Sequence, residues 1–451
     1  MIKKNRSRRT WAGALVVAVC GTVVGLGGCA SPAEEEPAGP PTGVIDTSTA
    51  SGDITYWSWT PGIEPLIEEF ERTHPDIHVT LVNAGQGDPA YAKLRTAMKA
   101  GSGVPDVMHV TLDTVASFGT EFLDLREYGA SEIADRYLPF ALEFVSQEGA
   151  IRGLPTDTGP MGIVYRKSIF DQYGIEVPQT WDEFADAARK LHAANPDVFI
   201  TNLAPNESGP ILSLSSQAGS RPFQAGSETE LQIALNDPGA KQFAEYWEPL
   251  VAEGVVSVDP AYTDTWYKSF ADGRYASWIT AAWGPVFLQG IVADTAGDWR
   301  AALLPQWEAG QNISANFGGS AAAVPRLAPN KPAAAEFAKW YASAEFVAKW
   351  RAENKETFPA IKAYLEDPEI VDRESAFFGG QQVVKDVFLP SSQMVPADYQ
   401  FSPFQDYVSA QISAIIGGAL TQGGSLTEAF DTLQETVVQY ATDQGYTVTT
   451  R

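Results

Sequence analysis

Four tryptophans sit where a strand ends or the chain breaks: Trp57 and Trp59 in ITYWSWTP, Trp283 in AAWGP and Trp307 in PQWEAG. Large rings beside Gly and Pro breaks usually face something other than a core. The chemistry such rings can do is to cover the apolar C–H face of a sugar. Planar polar groups then read the sugar's edge of hydroxyls, because a carboxylate accepts from two adjacent hydroxyls and an amide both donates and accepts. Asp113, which follows the apolar run VMHVT after Leu112, is such a carboxylate, or else the N-cap of a helix over TVASFGTEF. Strand alternation aims Trp57 and Trp59 the same way, with core packing as the alternative for each. Trp266 in YTDTWYKSF fits a site or a helix cap equally. Trp181, Trp247, Trp340 and Trp350 lie on amphipathic helical patterns and belong to the core.

Other chemistries find little support. His74 and His78 are four apart, but Pro75 and Asp76 interrupt any helix between them, so they do not share a face as two zinc ligands would. Gly85 and Gly87 lack the rest of a phosphate-binding fingerprint, and there is no nucleophile elbow or P-loop. A glycoside hydrolase needs two carboxylates about 5 to 10 Å apart. With 56 acidic residues such a pair is easy to find, so the count decides nothing. No cofactor is implied.

The elements that must position these residues alternate. ITYW at Ile54 to Trp57 reads as a strand, with Pro61 in the first turn of a following helix IEPLIEEFERTH; IHVTLV at Ile77 to Val82 is the second strand. A helix from Pro89 to Ala100, ended by Gly101, leads to the strand at Val107 to Val110. This βαβαβ pattern implies a parallel sheet covered by helices, hence an α/β fold whose ligands sit outside the carboxyl ends of the strands. Thr180 and Glu183 form a capping box for a helix through Ala194, and Pro332 opens AAAEFAKWYAS. About 400 residues of ordinary globular composition exceed what one core normally serves, so two lobes are expected.

Residues 1–28 read as an export signal. Lys3, Lys4, Arg6, Arg8 and Arg9 precede an apolar run from Trp11 to Leu26, 16 residues long and short of the ~20 that span a bilayer. The closing Leu26, Gly27, Gly28, Cys29 resembles the lipobox of bacterial lipoproteins. That implies cleavage before Cys29, a lipid on its thiol, and a place on the outer face of the cytoplasmic membrane. Cys20, preceded by bulky Val19, is the weaker choice for modification. Two sequons, at Asn206 to Ser208 and Asn312 to Ser314, are then chance matches. The mature chain keeps one cysteine and forms no internal disulfide. Loss of the five basic residues takes the net charge from −25 to about −30, which repels nucleic acid and anionic lipid and leaves the lipid as the membrane contact. Residues 29–52, including SPAEEEPAGPPTG, are too poor in apolar side chains to order and read as a flexible tether.

The order of ITYWSW, FERTHPDI, YAKLRTAMKAGSGVPDV, GLPTDTGPMGIVYRKSIFDQYGIEVPQTWDEF, FADGRYASWITAAWGP, and LPQW with NFGGSAAAV resembles the family 1 extracellular solute-binding proteins of ABC importers, similar to the maltose-binding type. The resemblance covers nearly all of Ile54 to Arg451. It implies a two-lobed, type II periplasmic-binding-protein-like fold: residues 53–157 with 320–366 as lobe 1, and 158–319 with 367–451 as lobe 2. Hinge crossings are expected near Asp157 to Met161, Asn316 to Ala323 and Glu366 to Phe378, with closure over the ligand. It further implies a non-catalytic monomer that captures an oligosaccharide and passes it to the permease transmembrane subunits. From the matching segments Asp157, Thr158, Asn316, Gly318, Gly319 and Ser320 join the expected site. Asp157 in PTDTG could instead be a turn residue. The two glycines could offer N–H groups to the ligand or let the hinge bend. A hydrolase, or the same fold binding a polyamine-like solute in an acidic cage, remains the alternative.

Overall fold

The computed structural model describes residues 43–147, 149–227, 229–354 and 357–450, so the export signal and Cys29 lie outside the described residues. Three strands come first, β1 (Gly52–Trp57), β2 (Ile77–Val82) and β3 (Val107–Thr111), with helices Glu64–Thr73 and Asp88–Ala100 between them. β1 pairs in parallel with both β2 and β3, the arrangement expected of βαβαβ. Gly101 ends the second helix in the left-handed conformation, its N–H reaching the Ala97 and Met98 carbonyls. Helix Trp181–Ala194 carries the capping box at Thr180 and Glu183. The first helix differs from expectation. Gly62, at φ 66°, turns the chain after Pro61, and the first-turn proline is Pro65.

Four later strands complete a seven-stranded sheet: β4 (Leu154–Arg166), β5 (Ser277–Ala281), β6 (Trp299–Leu303) and β7 (Asn316–Ala323). The first half of β4 pairs antiparallel with β7, and β7 pairs antiparallel with β3. The second half of β4 is flanked by β5 and β6. β4 and β7 therefore pass from one part of the apolar core to another, with Leu154 and Ala321 to Ala323 in one cluster and Met161, Ile163, Val164 and Ala315 in the others. One cluster draws on residues 54–154 and 321–370 with Tyr399; two more draw on 161–315 and 358–441.

The stretch expected as a loose tether is docked over residues 45–51. The Ile45 N–H donates to the Glu127 carbonyl at 2.7 Å, Lys339 Nζ donates to the Thr47 hydroxyl at 2.6 Å, and Asn330 Nδ2 donates to the Ser51 carbonyl at 2.9 Å. Thr47 is 3% exposed. Composition missed this because hydrogen bonds to partners remote in sequence, Glu127, Asn330 and Lys339, hold the segment. Among the described residues no helix is long and apolar enough to cross a membrane.

Candidate functional site

All three parallel strands deliver their carboxyl ends to one cavity of about 300 Å³. Trp59 follows β1, Gly87 follows β2, and Thr111 and Asp113 follow β3. The crossing strands contribute Asp157, Asn316, Gly318, Gly319 and Ser320. From the other side come Trp283, Tyr262 and the first turns of helix Ser208–Gln217.

Trp283 is placed by both its neighbours and its indole. It caps the short helix Gly284–Gln289 after β5, donates from Nε1 to the Phe317 carbonyl at 2.7 Å, and packs edge-on against Phe317 at 5.0 Å and Phe287 at 5.9 Å. Asn316 ties the crossings together: its Oδ1 accepts from the Gly159 N–H at 2.9 Å and its Nδ2 donates to the Gly318 carbonyl at 2.8 Å. The β4–β7 register slips between Asn316 and Gly319, a bulge that Gly318 and Gly319 make possible at φ 67° and 94°.

The structure does not bring every expected residue to the cavity. Trp57 is the last residue of β1, and the buried Ser58, whose N–H donates to the Val82 carbonyl, turns the chain before Trp59, so alternation does not carry from one ring to the other. Trp57 packs on the first core cluster. Trp307 packs against Trp181 at 5.8 Å and Tyr246 at 5.3 Å. Trp266 is buried among Phe270, Tyr267 and Trp278 and donates from Nε1 to Asn202 Oδ1 at 2.9 Å. Thr158 is buried, its N–H spent on the Phe358 carbonyl. A break beside an aromatic shows that the ring leaves a regular element; it does not show whether helix Trp181–Ala194 or open space waits beyond.

Sequence reasoning also missed His109. It shares a face of β3 with Thr111, lines the cavity, and meets Trp59 edge-on at 4.3 Å. Burial, with Arg351 nearby, pushes its imidazole down to about 3, so it is neutral at physiological pH; Nδ1 has no protein partner. Period-two alternation back from Thr111, the last residue of the strand, was the signal that could have found it.

The charge is one-sided. Asp113, Asp157 and Glu207 line the cavity, and among the described residues no Lys or Arg does. Burial raises Asp157 above the ordinary carboxylate range, against the pull of Arg351 and Ser320, and leaves Oδ1 without a protein partner. Burial likewise raises Asp113, opposed by the Thr111 hydroxyl and helped by Asp406; it sits in the first turn of helix Leu112–Phe118, not at its N-cap.

A raised folded-state carboxyl makes the charged form the disfavoured one. Its penalty is absent below the unfolded value of about 4 and grows as pH rises through the raised folded value. Asp113→Asn should therefore raise the melting temperature of the ligand-free protein at pH 7 by roughly 1 to 2 °C, with the gain fading near pH 4. Scanning calorimetry at the two pH values checks this, and a lower melting temperature at pH 7 would contradict it.

Residues 56–348 match the family described as bacterial extracellular solute-binding protein. A solved ABC-transporter-associated binding protein from B. animalis subsp. lactis Bl-04, in complex with beta-1,6-galactobiose, is 30% identical, with a TM-score of 0.82 over 88% of this chain and 99% of that one. The galacto-N-biose-/lacto-N-biose I-binding protein from Bifidobacterium longum, in complex with lacto-N-biose, is 25% identical, with a TM-score of 0.77 over 89% and 99%. The lactose-binding protein of Rhizobium radiobacter is 23% identical over 87% of this chain and 94% of its own.

Proposed function

Because this chain belongs to the bacterial extracellular solute-binding protein family, we propose that it captures a short, neutral saccharide between its lobes and delivers it to the permease of an ABC importer. Its fold is the two-lobed, type II periplasmic-binding-protein-like α/β fold, and proteins of this kind bind without catalysing. The observation that carries the reading is the lining of the cavity. Trp59 and Trp283 supply aromatic faces there, Asp113, Asp157 and His109 supply hydrogen-bonding groups, and among the described residues the lining is acidic and holds no Lys or Arg, which disfavours phosphorylated or uronic sugars.

The finer assignments rest on the same footing. Trp59, Asp113, Asp157, Trp283, Asn316, Gly318, Gly319 and Ser320 are the ligand contacts, with Asn316 acting partly through the crossings it clamps. Residues 53–157 with 320–366 form one lobe and 158–319 with 367–451 the other; the division of the apolar core supports this. The chain is a monomer held to the outer face of the membrane by lipid on Cys29.

A thermal-shift screen of the mature domain against di- to tetrasaccharides tests the reading. A true ligand at 100 times its dissociation constant adds about 2.7 kcal/mol of stability. Shifts with neutral sugars and none with their uronate or phosphate counterparts are expected. Stabilisation by polyamines and not by any sugar would overturn it.

A further inference from the structure

Tyr262 is the one non-glycine among the described residues with a positive φ, 64°. An aromatic side chain disfavours that left-handed region, so something must hold it there. Asn206 clamps the preceding residue, accepting from the Ala261 N–H at 2.8 Å and donating to the Ala261 carbonyl at 3.3 Å. On the other side Thr263 caps helix Asp264–Ala271, its hydroxyl accepting from the Trp266 N–H at 3.1 Å. The chain is fixed on both sides of Tyr262, and the left-handed step bridges the two fixed points. The ring does not gain a core by this. It leans on Trp266 at 5.4 Å and Tyr267 at 6.4 Å, keeps 37% of its surface exposed, and lines the cavity, where its hydroxyl donates to Glu207.

We propose that Tyr262 is a specificity-determining platform for the saccharide, presented to the cleft at the expense of backbone strain, and that Asn206 is the residue that positions it. The inference rests on the saccharide reading above. The Asn206 amide has a structural role of its own, engaged on both sides by Ala261. The mechanism is local. A ring whose backbone is strained and whose hydroxyl is tied to Glu207 has few orientations to lose when a sugar face settles on it, so less ordering entropy opposes binding.

The experiment begins with a saccharide that stabilises the wild type and compares Tyr262→Phe, Tyr262→Ala and Tyr262→Gly by titration calorimetry and ligand-free melting. Removing the ring should raise the dissociation constant about tenfold, or about 1.4 kcal/mol, in both the Ala and Gly variants. Phe should stay within about threefold of wild type. Without ligand, the Gly variant should melt above the Ala variant, since only glycine occupies this φ without strain. Asn206→Ala should weaken binding in the wild type but add little to Tyr262→Ala, because both act through one ring. Wild-type affinity in Tyr262→Ala, Ala melting above Gly, or additive losses with Asn206→Ala would each overturn the proposal. A wild type that answers to no saccharide would overturn the functional reading itself, and is told apart by appearing before any substitution is made.

Discussion

Gly159→Ala should abolish saccharide binding and lower ligand-free stability by several kcal/mol, roughly 3 to 5, placing it among the most damaging single changes available to this chain. A methyl group on Gly159 would lie 1.9 Å from the Phe317 carbonyl oxygen and 2.9 Å from its carbon. Both neighbours are backbone, so no rotamer change relieves the clash. The strands β4 and β7 must separate, and with them goes the hydrogen bond from Gly159 to Asn316 that fixes the crossing. The helix Ser208–Gln217 presses on the same residue from the other side, where a methyl on Gly209 would lie 2.0 Å from the Phe317 ring. Circular dichroism melting and a binding titration read both effects. A variant that melts and binds like wild type would mean that the two strands part at no cost, which close packing of this kind does not allow.

The second large effect is a contrast between two tryptophans that share the same local signature. Trp283→Ala should weaken saccharide binding by about 1 to 3 kcal/mol, since it removes a ring at the cavity wall. It should also lower ligand-free stability to some degree, because the indole N–H is bonded to the Phe317 carbonyl at the crossing. Trp307→Ala should do the reverse. Its ring packs between Trp181 and Tyr246, so its loss should cost roughly 2 kcal/mol of stability and leave affinity within about threefold. Paired titration and melting of the two variants decides the matter; affinity lost in Trp307→Ala with unchanged melting would return that ring to the site.

The pair also marks how far local pattern reaches. The strands β1, β2 and β3, the helix ended by Gly101 and the capping box at Thr180 and Glu183 were all legible, because each is set by residues within a turn or two of the chain. So was the sheet end at which Trp59 and Asp113 gather, because a parallel βαβαβ unit puts its carboxyl ends together. The docking of residues 45–51, the burial of Trp266 and the strained Tyr262 were not. Each depends on a partner remote in sequence: Lys339 for Thr47, Asn202 for Trp266, Asn206 for the turn before Tyr262. Periodicity and capping record how a segment pairs with itself. Whether Trp283 or Trp307 meets the cleft is decided by which helix packs beside each, and that choice is made only when the chain closes on itself, with β4 and β7 carrying it between the cores.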